Sequence, residues 1–246
     1  TLTNGGSITT AATTTGLRFG GTGGWAVFNL DGGTLTTAAV YENSAAVLST
    51  NNFNGGTLKA ISLTSSNATF MTGLDGANVR NGGAFIDPNG QSITISQALV
   101  HSVISGDNAT DGGLTVVGAG GTLILTGANT YTGPTTITGN NVLSVTPPYN
   151  TLGSGVVVSN GGLLEVTANT SSSVLPPITL NDGGGIEFNL GTYNPANIPA
   201  ITNASLIVAG TNVIDILGGS VPVTNITLLG YTNKTGGSTF VMGTLP

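Results

Sequence analysis

The chain has no cysteine and only four basic residues, Arg18, Lys59, Arg80 and Lys234, among its 246. The missing thiols exclude disulfides, thiol catalysis and cysteine-ligated zinc, and they point to an exported bacterial chain. Four scattered cations cannot build the patch that displaces counterions from phosphates, so nucleic acid is excluded as a partner. An anionic membrane surface is excluded on the same ground. Ten acidic residues leave a net charge of −6. Charged residues make up 6% of the chain, against roughly 25% in ordinary globular domains. No apolar run approaches the ~20 residues of a membrane span. Thr1 is not a start methionine and no basic-then-apolar signal follows it. The chain therefore reads as processed or as an excerpt of a longer one.

What the chain has instead is glycine, 40 of 246 residues, set among Val, Ile and Thr. Disordered chains are polar, charged and poor in β-branched residues. A positive mean hydropathy with dense β-branched residues predicts an ordered all-β protein.

A unit of Asn or Asp, two glycines and an apolar strand recurs along the chain. It starts at Asn4, Asp31, Asn54, Asn81, Asp111, Asn160 and Asp182. The first five starts are 27, 23, 27 and 30 residues apart, the next gap is 49 and the last 22. With 49 counted as two units the mean is about 25, one coil of a solenoid. Asn-Gly and Asp-Gly tolerate positive φ and so turn the chain sharply. After each turn comes period-2 alternation, as in Leu123 and Leu125 or Ile93 and Ile95, which sends apolar residues inward and Thr, Ser and Asn outward. The segment 95–104, "ISQALVHSVI", reads as strand, turn and strand rather than helix. Antiparallel hairpins would place turn signals every 8–12 residues and carry charged outer faces. In a solenoid each residue stacks on its counterpart one coil earlier, at about 4.8 Å. Columns of Lys or Glu would repel there, whereas columns of Thr and Asn can hydrogen-bond to one another. About ten coils are expected. Residues 1–174 form the solenoid, and 175–246 form a less regular, Pro-rich C-terminal β segment that continues or flanks it.

The stretch 112–145, "GGLTVVGAGGTLILTGANTYTGPTTITGNNVLSV", resembles the autotransporter-associated β-strand repeat, also called the passenger-associated transport repeat. Gly121, Thr122, Leu123, Leu125, Gly127, Asn129, Thr130, Tyr131, Gly133, Thr135 and Ile137 stand in its pattern. The segment 78–115 is similar to what precedes this repeat in very large surface proteins of Verrucomicrobia-like and Planctomycete-like bacteria. The segment 230–246 is similar to a late segment of the same proteins. The resemblance implies a right-handed parallel β-helix in a secreted or cell-surface protein. It does not extend to a β-barrel translocator and so implies no autotransporter export route.

Residues able to carry chemistry are few. His101 is the only histidine. Asp107 and Asp111 follow it without metal-ligand spacing, so it reads as a structural or surface residue. Asp31, Asp75, Asp87, Asp107, Asp111, Asp182 and Asp215 mostly sit beside Gly, Pro or Asn, which is turn chemistry. The glycines of 20–33 lack the tandem Asp of a calcium-binding roll. Glu165 and Glu187, 22 residues apart, are about one coil apart and could pair as glycosidase carboxylates, but read as solvated outward positions. Trp25, Phe28, Tyr131 and Tyr149 could form a sugar-stacking strip. The favoured reading packs Trp25 and Phe28 into the N-terminal core and lets Tyr131 seal a turn. Asn-x-Ser/Thr sequons at Asn67, Asn108, Asn169, Asn203, Asn225 and Asn233 are expected by chance in such a composition. The glycine runs lack the Lys and the following helix of a phosphate loop.

No catalytic, cofactor-binding or metal-ligating residue is therefore assigned, and the chain is expected not to be an enzyme. The expected function is that of an extracellular structural solenoid, a spacer, sheath or fibre element. Its expected partner is itself, end to end or by strand exchange, because a solenoid has open backbone edges at both ends. The alternative is a carbohydrate-binding surface adhesin whose partner is an extracellular polysaccharide. A polysaccharide lyase ranks third, since it needs a Lys or Arg base and clustered carboxylates.

Overall fold

A computed structural model describes residues 1–10, 16–20, 23–43, 48–61, 67–146, 152–167, 174–191, 201–218 and 227–245. Twenty-six strands and no helix are found among them. The strands lie in three sheets, and every strand pairing is parallel; one isolated antiparallel bridge joins Pro134 to Gly153 at a corner. Strands Leu2–Thr3, Trp25–Asp31, Leu48–Phe53, Gly76–Val79 and Val100–His101 stack in that order as sheet I. Sheet II runs from Ser7–Thr9 to Leu229–Thr235, and sheet III from Leu17–Phe19 to Ser238–Met242. Sequential strands pass from one sheet to the next and return one rung higher. That is a parallel β-solenoid, of about eight turns rather than ten. Several coils exceed the mean used for the expected count: Ile86 pairs with Val116, 30 positions on.

Register places like on like. In sheet II the inward column reads Ile8, Leu35, Leu58, Ile86, Val116, Ile137, Val158, Leu180 and Val208, each the Cα partner of the next. In sheet III, Ile93, Leu123, Leu143, Leu164, Ile186 and Ile214 form a matching column. From Leu35 to Val208 the sheet II column is buried. Each such side chain contributes about 1.5–3 kcal/mol on leaving water. Beta-branched and leucine residues fill these columns because side chains on neighbouring rungs stand directly over one another.

The Asn/Asp-Gly-Gly corners align, but in two columns. Those starting at Asn4, Asp31, Asn54, Asn81 and Asp111 precede sheet II, whereas those at Asn160 and Asp182 precede sheet III. The gap of 49 residues is thus two coils plus a shift to the next corner. In the first column, Asn54 Nδ2 donates to Asp31 Oδ1 at 3.0 Å, and the Gly82 N–H donates to Asn54 Oδ1 at 2.8 Å. In the second, Asn89, Asn140 and Asn160 adopt positive φ of 53°, 58° and 52°, conformations that Asn tolerates better than most residues.

Sheet I ends at His101 among the described residues, while sheets II and III continue. Coil length drops there. The steps Val116 to Ile137 and Ile137 to Val158 are each 21 residues. Strands Ile178–Leu180, Gly185–Asn189, Ile201–Val208 and Gly210–Leu217 extend the same two ladders. Segment 95–104 holds the end of the strand Ser92–Ile95 and the strand Val100–His101, as its pattern predicts.

Candidate functional site

Three constellations carry the polar chemistry. The first lies where sheet I ends. His101 Nδ1 is 2.8 Å from Asp111 Oδ2, so the two residues come together across the turn between them. An ionised carboxylate only accepts, so Nδ1 carries the proton of this bond. Asp111 Oδ2 also accepts the Thr132 N–H at 2.8 Å and the Thr132 hydroxyl at 3.0 Å. Its Oδ1 accepts the N–H groups of Gly113 at 2.9 Å and Gly133 at 2.8 Å. Burial alone would push the Asp111 carboxyl up. The N–H groups of Thr132 and Gly133, His101 and the Gly113 N–H outweigh it and hold the group below the usual carboxylate range. Asp107 turns away to Arg80, whose Nε is 2.9 Å from Asp107 Oδ2. The Arg80 guanidinium holds that carboxyl down, helped by a hydrogen bond from Ser102. Arg80 also reaches Asp31, 3.8 Å away.

An Asp–His pair of this orientation recurs in hydrolytic triads, where the other ring nitrogen activates a hydroxyl. Here the nearest described hydroxyl, that of Thr132, is 3.3 Å from Nδ1 itself. The arrangement is a clamp. It locks the corner at Asp111 to the corner at Thr132–Gly133 one coil later. The close approach needs Gly133: a Cβ there would sit 2.4 Å from the Asp111 carbonyl oxygen.

The same coil is pinned from within. Asn129 Oδ1 accepts the Leu99 N–H at 2.9 Å. Tyr131 is fully buried. Thr135 Oγ1 gives its single proton to the Leu152 carbonyl at 2.8 Å, so the Tyr131 hydroxyl donates to Thr135 Oγ1 at 2.6 Å. Burial raises the Tyr131 hydroxyl above its ordinary range.

The second constellation corrects an expectation. Glu165, Glu187 and Asp215 are successive Cα partners along sheet III. Their carboxylates stack as a ladder, in the column arrangement that like charge disfavours, instead of being separately solvated. Partial burial, then Glu165 and Asp215, push the Glu187 carboxyl up to about 7. Asn189 Nδ2 donates to Glu165 Oε1 at 3.2 Å and offsets part of the repulsion. Asp215 thus lies within a strand rather than in a turn. Among the described residues no group of three or more His, Asp or Glu is placed to hold a metal ion. Lys59 pairs with Asp87 at 2.8 Å, so Arg18 and Lys234 are the cations with no carboxylate partner among the described residues.

The third constellation corrects the placement of Trp25. Its side chain is 82% exposed instead of filling the core. Phe28, on the opposite face of the strand, packs against the core as expected. Trp25 shares the outer face of sheet I with Val27, 51% exposed, and with its Cα partner Leu48, 54% exposed. Along the same face Asn29, Asn52 and Asn78 form an amide ladder. Asn52 Nδ2 donates to Asn29 Oδ1 at 2.7 Å, and Asn78 Nδ2 to Asn52 Oδ1 at 2.8 Å. Tyr149 lies outside the described residues.

The stacked parallel rungs and apolar columns define a β-solenoid, a fold of extended proteins with stacked repeats. Residues 120–139 match the passenger-associated-transport-repeat family. The match covers the coil whose Asn129, Tyr131, Gly133 and Thr135 make the contacts above. No curated protein and no solved structure matches the chain at a significant level. Repeat and fold together fit an extracellular β-helix protein, since the repeat family implies a secreted or surface-exposed chain.

Proposed function

We propose that the protein is an extracellular structural element, a spacer, sheath or fibre segment, whose solenoids associate end to end. The observation that carries this reading is the pair of apolar columns, from Ile8 to Val208 in sheet II and from Ile93 to Ile214 in sheet III. In such a stack each coil is held by its neighbours, and the shared columns make it one elongated body. The first and last described rungs carry exposed apolar side chains that suit such a contact. Ile8, in line with the sheet II column, is exposed on the first. Tyr231, Phe240 and Met242 are exposed on the last. Between the last rungs a cleft of about 300 Å³ opens, lined by Leu180, Ile186, Phe188, Leu206, Leu229 and Phe240. Unpaired strand edges beside exposed apolar side chains favour pairing with another chain.

Negative-stain electron microscopy of the purified chain over a concentration series tests this. Linear filaments one solenoid wide are expected as concentration rises. Isolated short rods at the highest concentration would overturn the assembly claim.

A further inference from the structure

We propose that the outer face of sheet I is a docking surface for a neutral polysaccharide chain, with Trp25 as its stacking platform. The face is built from residues of alternate parity on three adjacent strands: Trp25, Val27 and Asn29; Leu48, Thr50 and Asn52; Gly76 and Asn78. Asn51 and Phe53, on the opposite parity of the middle strand, are buried, and Asn52, covered by its ladder neighbours, is buried as well. An indole 82% exposed beside two half-exposed aliphatic side chains leaves a flat apolar area in water, which marks interaction surfaces.

Charge and area select the occupant. None of these side chains is ionisable, and at the margins Asp31 and Arg80 pair with each other at 3.8 Å while Asp75 accepts the Ser49 N–H, so a neutral partner suits the face best. Five residues of strand by three strands is an area of about 200 Å². A stable protein interface takes roughly 800 Å² from each partner, so a folded protein gains too little here. A narrow chain fits. A sugar ring has an apolar C–H face and a rim of hydroxyls, and this surface has the same two halves. Trp25, Val27 and Leu48 meet the ring face. Asn52 uses one N–H and its oxygen within the stack, Asn29 its oxygen and Asn78 one N–H, which leaves Asn29 and Asn78 each an N–H for a hydroxyl. The ladder also fixes the amides in register one rung apart, so a repeating chain meets a repeating surface without ordering cost. This reading does not depend on end-to-end assembly.

Trp25 is the only tryptophan in the chain, so its emission reports this face alone. The protein is titrated with neutral hexasaccharides of glucose, xylose and N-acetylglucosamine, with a uronic-acid hexamer, and with neutral phosphatidylcholine vesicles. A saturable emission change with at least one neutral hexasaccharide and none with the uronic acid is expected. By calorimetry Trp25→Ala, confirmed folded by circular dichroism, weakens that binding at least tenfold, and Asn78→Ala weakens it about threefold. Four results would each overturn the proposal: silence toward every neutral hexasaccharide at millimolar concentration, equal binding of the uronic acid, a response to vesicles alone, or affinity unchanged in Trp25→Ala.

Discussion

Glu187 stands between Glu165 and Asp215 on neighbouring parallel strands, each its direct Cα partner. Glu187 in the fold takes up a proton near pH 7, well above the ordinary carboxylate value, so protonation favours the folded state. This contribution is fully present below the unfolded value near 4.3 and is lost as pH rises toward and through 7. Melting temperature should therefore fall between pH 5 and pH 8. Glu187→Gln should flatten that slope and raise the pH 8 melting point by about 2–4 °C, the shift that about 1 kcal/mol gives in a chain of this size, solvent screening of the half-buried carboxylate having reduced the full electrostatic effect. Thermal denaturation across that range checks it. Equal slopes in both proteins would show that the ladder is not the cause.

Asp111 works in the opposite sense. Its carboxylate is held below the usual range, so its stabilising contribution is present above the ordinary value and is lost as pH falls through the folded one. Asp111→Ala leaves the N–H groups of Thr132, Gly133 and Gly113 unpaired beside His101. A loss of about 3 kcal/mol or more is expected in urea unfolding. A loss under 1 kcal/mol would mean that the clamp does not hold the two corners.

Gly133→Ala places a Cβ against the Asp111 backbone, with the carbonyl oxygen 2.4 Å away. It should cost about 1–3 kcal/mol through forced displacement. Gly237→Ala, with no atom within 4 Å of its added Cβ, is the comparison and should change stability by less than 0.5 kcal/mol, as surface substitutions do. Chemical denaturation of the two variants side by side distinguishes them.

Lys234 lines the C-terminal cleft and its Cα partner is the core residue Leu206. A charge directed at an end of the core is a device that restrains edge-to-edge pairing. Lys234→Leu should lower the concentration at which filaments form by about tenfold, the equivalent of 1.4 kcal/mol. Light scattering on a dilution series measures it. An unchanged or higher threshold would separate this end from the assembly contact.

The coil period was legible because glycine corners recur wherever the chain must turn, and because neutral columns are what parallel stacking tolerates. The repeat's Asn129, Tyr131 and Gly133 were legible as a pattern, and the structure supplies the contact behind each. Trp25 was misplaced because "WAVFNL" is apolar at five of six positions, so alternation alone does not choose the inward row. Asn29, four residues from Trp25 on the same face, was the available signal. The Glu165–Glu187 stack was visible as a spacing of one coil, but the two residues read as solvated outward positions. Partial burial lets one member carry a proton near neutral pH, and the Asn189 amide neutralises part of what remains. The His101–Asp111 pair was hidden because it joins residues ten apart across an irregular turn, where no period applies.

The stacking register is tested most directly by paired cysteines, because the chain has none of its own. Thr136 and Val157 are Cα partners on adjacent rungs, and Thr179 is the next in the same column. Neighbouring rungs lie about 4.8 Å apart, within the range of roughly 4.4–6.8 Å that a disulfide spans. Under mild oxidation Thr136→Cys with Val157→Cys should cross-link within one chain nearly completely, and Thr136→Cys with Thr179→Cys should not. Equal cross-linking of both pairs, or of neither, would contradict the parallel in-register solenoid.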